Sequence, residues 1–152
     1  MQLTNPVGSM SKTFYRGLLL AYAVSVASGL LFFILNTWVT VEGDFGPQKH
    51  PWQYSTLKLH GAAAFAMMLF FGALLNHHIP QNWKGHAARR SGQAMTLIVS
   101  LQIVTAWLLY YLADETIRQW IVYLHLSAGL TLPLLLIVHI VSRPLPRKLT
   151  PH

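Results

Sequence analysis

The chain has 152 residues, 53% of them hydrophobic and 10% charged, with a mean hydropathy of +0.42. The charged fraction is under half the ~25% usual for soluble globules, which argues against a water-soluble enzyme and fits one membrane domain over 1–152. With no Cys, disulfides, thiolate metal sites, iron–sulfur clusters and covalently attached haem are excluded, because each needs cysteine sulfur.

Four segments approach the roughly 20 apolar residues needed to cross a hydrocarbon core of about 30 Å. They cover residues 15–39, 57–78, 93–112 and 120–142. The expectation is an all-α fold, an integral membrane four-helix up-down-up-down bundle. The first segment is too long for a secretory signal core and no small-residue cleavage site leads to a soluble domain, so it reads as a retained helix. Lys58 stands at the end of its segment, where it can snorkel. The stretch Thr40 to Thr56, with Gly43, Phe45, Gly46, Pro47, Pro51, Trp52 and Tyr54, reads as a surface cap at the interface. Ser142-Arg143-Pro144-Leu145-Pro146 closes the last helix, because proline removes a donor and biases the preceding residue away from helix.

The net charge of +7 and pI near 10.1 do not imply nucleic acid, which needs the charge gathered on a polar face. Lys and Arg lie in short clusters between apolar runs. Lys12, Arg16, Lys84, Arg89, Arg90, Arg143, Arg147 and Lys148 fall on one side of the predicted spans. Lys49, Lys58 and Arg118 fall on the other, with all four acids: Glu42, Asp44, Asp114 and Glu115. Positive charge is retained in the cytoplasm, so both termini are expected there, in a multi-pass membrane protein in contact with lipid.

Eight histidines against four acids is the unusual feature. His60 and His78 mark the two ends of the second predicted helix, and His125 and His139 those of the fourth. At about 100° per residue, His60 and His78 share a face after five turns, whereas His77 points about 100° away. His125 and His139 miss alignment by roughly 40°, which left-handed supercoiling largely removes. The axial separations, ~27 Å and ~21 Å, require a tilt or axial shift of the second helix if both levels are to match. In the expected bundle these helices run parallel, which pairs His60 with His125 and His78 with His139. An imidazole in a low-dielectric core is costly unless its nitrogens are occupied, and porphyrin iron accepts one from each face. Two bis-His b-type haems are therefore expected, with His60, His78, His125 and His139 as iron ligands. Gly29, Gly61, Gly72 and Gly129, with Ser25, would leave room for porphyrin against the helices. His50, His86 and His152 read as solvated loop residues, His86 beside a basic, phosphate-facing loop.

Two other readings compete. A zinc or copper transporter would favour close His spacing with acids or thiolates, and no acid falls inside the predicted helices. Transport also lacks inverted repeats, and Pro133, midway between His125 and His139, is the one candidate helix break. A non-redox scaffold would use histidines only to bond helices to one another.

The stretch His60-Gly61-Ala62-Ala63-Ala64 with Gly72 and His78, then Trp83, Arg89-Arg90-Ser91-Gly92, Leu108-Leu109-Tyr110-Tyr111, Asp114-Glu115 with Arg118, and His125 with Gly129 and His139 resembles the small four-helix b-type cytochromes related to the flavinylation-associated cytochrome group. The likeness runs from Leu57 to Ser142. The spacing of His125 and His139 is also similar to that in the last helix of the cytochrome b subunits of formate dehydrogenases and hydrogenases. There the first helix contributes a ligand; here that segment has no His, which leaves the second helix as the source of both partners. The resemblance implies an electron-transfer subunit of the bacterial inner membrane, not an enzyme by itself, that binds haem b and passes electrons between the quinone pool and a redox partner at the periplasmic face. Lys84, Arg89 or Trp83 could line a quinone site, although a basic loop facing lipid phosphates explains them as well.

Overall fold

The computed structural model describes residues 11–76, 78–83 and 89–142. The fold is all-α, with helices α1 (Lys12–Thr37), α2 (Trp52–Asn76), α3 (His78–Asn82), α4 (Arg89–Tyr111) and α5 (Glu115–Val141), and one small β-hairpin of β1 (Thr40–Gly43) and β2 (Gly46–Lys49) between α1 and α2. The four long helices are each long and apolar enough to cross a membrane, the architecture of a multi-pass membrane protein. They form two compact units, 1–78 and 79–152, each centred on one helical hairpin.

The helices reach beyond their apolar stretches because polar caps start them. Ser11 accepts from Phe14 N at 3.1 Å, so α1 begins three residues before the predicted start. Asp114 Oδ1 accepts from Ile117 N at 2.8 Å, and α5 begins at Glu115 instead of residue 120. Helix α2 begins at Trp52, ahead of the predicted residue 57: Trp52 N donates to His50 Nδ1 at 3.2 Å and Gln53 N to His50 O at 2.9 Å. These bonds satisfy donors that a helix start leaves open. His50 is thus a half-buried cap, not the solvated loop residue expected. At the other end α2 is described as far as Asn76 and α3 from His78, and residue 77 between them lies outside the described residues.

In the first hairpin, α1 and α2 run antiparallel. The start of α1 meets the end of α2 through Phe14 and Phe70, edge to face at 5.1 Å, and Gly17 leaves the room, since a Cβ there would lie 2.9 Å from Phe70 Cζ. At the opposite end Gln53 Nε2 donates to Asn36 Oδ1 at 2.8 Å and Lys49 Nζ to Asn36 O. These bonds tie the β-hairpin to both helices. Its register is Thr40↔Lys49 through Gly43↔Gly46, and Gly46 takes φ +105° after the turn, a conformation that favours glycine.

The second hairpin, α4 with α5, is also antiparallel. In both, the buried positions are mostly small or hydroxylic: Ser28, Thr56 and Ala63 in the first, Thr105 and Ala128 in the second. Small residues let apolar helices approach where lipid is as apolar as leucine and drives no association. Leu20, Phe65, Leu69, Leu97 and Leu134 are exposed, as lipid-facing side chains are. Exposed aromatics ring the connecting end of each hairpin, Trp38, Trp52 and Tyr54 in one and Trp107, Tyr111 and Trp120 in the other, the positions expected at a membrane interface.

Candidate functional site

His60 sits inside the first hairpin, half-buried on α2, with its ring against α1. Its Nδ1 lies 2.9 Å from Ser25 O and 3.5 Å from Ser28 Oγ. A carbonyl oxygen can only accept, so Nδ1 carries the proton, and in a neutral imidazole Nε2 then carries the lone pair. Gly29 makes this approach possible: a Cβ there would stand 2.8 Å from His60 Cε1.

His125 is held against α4 in the same way. Its Nδ1 is 2.8 Å from Thr105 Oγ1. That hydroxyl also lies 2.8 Å from Leu101 O and 3.1 Å from Gln102 O, neither of which has a proton to give. All three contacts are favourable only if the hydroxyl donates to the main chain and accepts from His125. Nδ1–H is the tautomer here too. Gln102 Nε2 adds a bond of 3.0 Å to His125 O, and it occupies the space left by Gly129, whose Cβ would fall 2.6 Å from that nitrogen.

His139 repeats the pattern at the far end of the seam. Its Nδ1 is 3.0 Å from Ser91 Oγ, and its Cε1 lies 3.4 Å from where a Cβ on Gly92 would be. His78 is half-buried at the start of α3.

Of the glycines expected beside a porphyrin, Gly29 thus faces His60 and Gly129 faces Gln102, while Gly72 adjoins open space, with nothing within 4 Å of a Cβ. Gly61 follows His60 and is half-buried. Residues the sequence reading did not single out for this role are Thr105, Gln102, Ser28 and Gly92. One signal was available for Thr105: Ser91 precedes it by the same two-heptad step that separates His125 from His139. Gln102 Oε1 and Tyr22 Oη are buried without a hydrogen-bond partner among the described residues.

A cleft of about 570 Å³ in the first hairpin has Val24, Ser28, Leu31, Trp52, Thr56 and Leu59 among its lining residues, a volume within the usual range for small-molecule sites. Among the described residues no group of three or more His, Cys, Asp or Glu comes together to hold a metal ion. Imidazoles held at Nδ1, as at His60 and His125, are donors of the chemical type that could hold porphyrin iron through Nε2. Trp83, Arg89 and Arg90 are exposed. His77, Lys84, His86, Arg143, Pro144, Leu145, Pro146, Arg147, Lys148 and His152 lie outside the described residues.

No family model matches the chain, and neither the curated proteins nor the solved structures contain a match.

Proposed function

We propose that this protein is a small membrane cytochrome b, an electron-transfer subunit in which His60, His125, His139 and His78 are axial ligands of haem b. The observation that carries the reading is the shared anchoring of three intramembrane imidazoles, each fixed at Nδ1 by a group on the neighbouring helix of its own hairpin. Ligating histidines almost always bond through their second nitrogen in this way, which fixes ring orientation and tautomer. When bound, the haem contributes a reversible one-electron couple at its iron. The protein's own part is to hold the rings, keep Nε2 unprotonated at His60 and His125, and exclude water. His125 and His139 lie about 21 Å apart along α5, far enough for each to serve a separate haem.

The distribution of Lys and Arg supports cytoplasmic termini, and the resemblance to flavinylation-associated cytochromes implies that the protein lies in a bacterial inner membrane. Its electron exchange is with the quinone pool and with a periplasmic redox partner, as the resemblance to flavinylation-associated cytochromes implies. The test is a reduced-minus-oxidised spectrum of the purified protein, with iron and porphyrin assayed on the same sample. Sharp b-type bands with one or two haems per chain support the proposal. Protein that takes up neither iron nor porphyrin, even when hemin is added, rejects it.

A second reading is favoured by the same bonds. Each His bonds the adjacent helix, which is all that a non-redox scaffold would need. Colourless, folded protein would select that reading.

A further inference from the structure

We infer that Thr105 is the positioning residue for His125: its hydroxyl holds the ring in the Nδ1–H tautomer and so makes Nε2 the nitrogen that faces iron. The inference rests on the cytochrome reading for its use, though its geometry stands without it. Thr105 is the most buried side chain described, 1% exposed, in the middle of the α4–α5 seam. Its hydroxyl is within hydrogen-bond distance of two main-chain carbonyls and one ring nitrogen, Leu101 O at 2.8 Å, Gln102 O at 3.1 Å and His125 Nδ1 at 2.8 Å. One proton serves the carbonyls, and the remaining lone pairs can only accept. Were the hydroxyl to donate to His125 instead, its oxygen would face a carbonyl oxygen at 2.8 Å with no proton between them, a repulsive contact in a low-dielectric seam. Gln102 grips the same residue by its carbonyl, so α4 holds both the backbone and the ring of His125.

A hydroxyl is not a general requirement for packing at this position. Valine has nearly the same shape as threonine but no group to accept Nδ1–H, so Thr105→Val removes the bond while keeping the methyl contacts. Thr105→Ser keeps the bond and removes a methyl.

The test uses the full chain in detergent, labelled with 15N at histidine, first without haem. Ring 15N shifts report the tautomer, and the His125 signals are identified by their loss in His125→Ala. The expected result is Nδ1–H in the parent and in Thr105→Ser, and a mixture containing Nε2–H in Thr105→Val. Ser91→Ala should leave the His125 signals unchanged. A parent His125 found as Nε2–H overturns the inference without any variant, and so does a Thr105→Val chain that keeps the parent tautomer. Hemin is then titrated into each sample. Affinity in Thr105→Val should fall at least about tenfold, the usual scale for loss of a group that orients a ligating histidine, and Thr105→Ser should recover most of it. Equal hemin affinity in Thr105→Val and the parent overturns the positioning role. A parent that shows the Nδ1–H tautomer but binds no hemin overturns the cytochrome reading instead, which separates the two failures.

Discussion

Thr105 Oγ1 and His125 Nδ1 lie 2.8 Å apart, and two heptads away along the same pair of helices Ser91 Oγ and His139 Nδ1 repeat the contact at 3.0 Å. Two heptads is the step at which a left-handed antiparallel seam returns each helix to the same facing position. The two histidines therefore project from equivalent places on α5, and each meets a hydroxyl at the equivalent place on α4. Neither contact shares a residue with the other.

Independent contacts imply independent losses. In the proposed cytochrome, His125→Ala and His139→Ala should each remove about half of the bound haem, because an iron with one axial imidazole left is poorly held. His60→Ala should match His125→Ala. Pyridine haemochrome content per chain measures this, and full haem in any one of the three variants would remove that residue from the ligand set.

The glycines predict a graded series. Gly29→Ala drives a Cβ to 2.8 Å from His60 Cε1, so the ring or the helix must shift, at an overpacking cost of about 1–3 kcal/mol. Gly92→Ala approaches His139 only to 3.4 Å and Gly72→Ala meets nothing within 4 Å. Thermal unfolding in detergent should rank Gly29→Ala as clearly destabilised and Gly92→Ala as nearly neutral. Gly72→Ala should be neutral or slightly stabilised through reduced freedom of the unfolded chain. In the proposed cytochrome Gly29→Ala is also the variant of the three expected to change the haem spectrum most, and a Gly29→Ala chain with parent stability and spectrum would contradict the packing described.

Asp114 has two roles that one substitution can separate. Its carboxylate caps α5 through Ile117 N, and with Glu115 it puts negative charge on the side proposed to face the periplasmic redox partner, where it would favour a partner with a basic patch. Asp114→Ala should cost about 1 kcal/mol of stability, whereas Asp114→Asn keeps a capping oxygen and should cost far less. Asp114→Asn combined with Glu115→Gln is thus the variant for docking. It should slow electron transfer to the partner at low salt and flatten the salt dependence, with the haem spectrum unchanged. An unaltered salt dependence would move docking elsewhere, with the β-hairpin side near Trp52 as the next surface to test.

Gly46 at φ +105° gives a local control. Gly46→Ala should strain the turn by about 1 kcal/mol or more and loosen the β-hairpin, read as faster hydrogen exchange over residues 40–49. Haem content should stay at the parent level, since no histidine contact described above involves this turn.

Four apolar segments, the scarcity of charge and the lack of Cys were enough to read an all-α membrane protein with four crossing helices, because in lipid a backbone must satisfy its own hydrogen bonds and a helix of about 20 residues is the local way to do so. The histidines were legible for the same reason: an imidazole in such a segment stands out against its surroundings. The helix ends were not, since Ser11, His50 and Asp114 are polar residues outside the apolar windows and act through bonds to specific main-chain donors. Above all, sequence alone showed that Gly29 and Gly129 lacked side chains without showing what fills the space; the structure puts His60 beside one and Gln102 beside the other. Apart from its two-heptad spacing from Ser91, which matches that of His125 and His139, nothing marked Thr105 out until the antiparallel register placed its hydroxyl on His125. Hydropathy and helix length are properties of a segment and can be read along the chain. Which donor meets which acceptor depends on the register between helices, and only tertiary packing determines that.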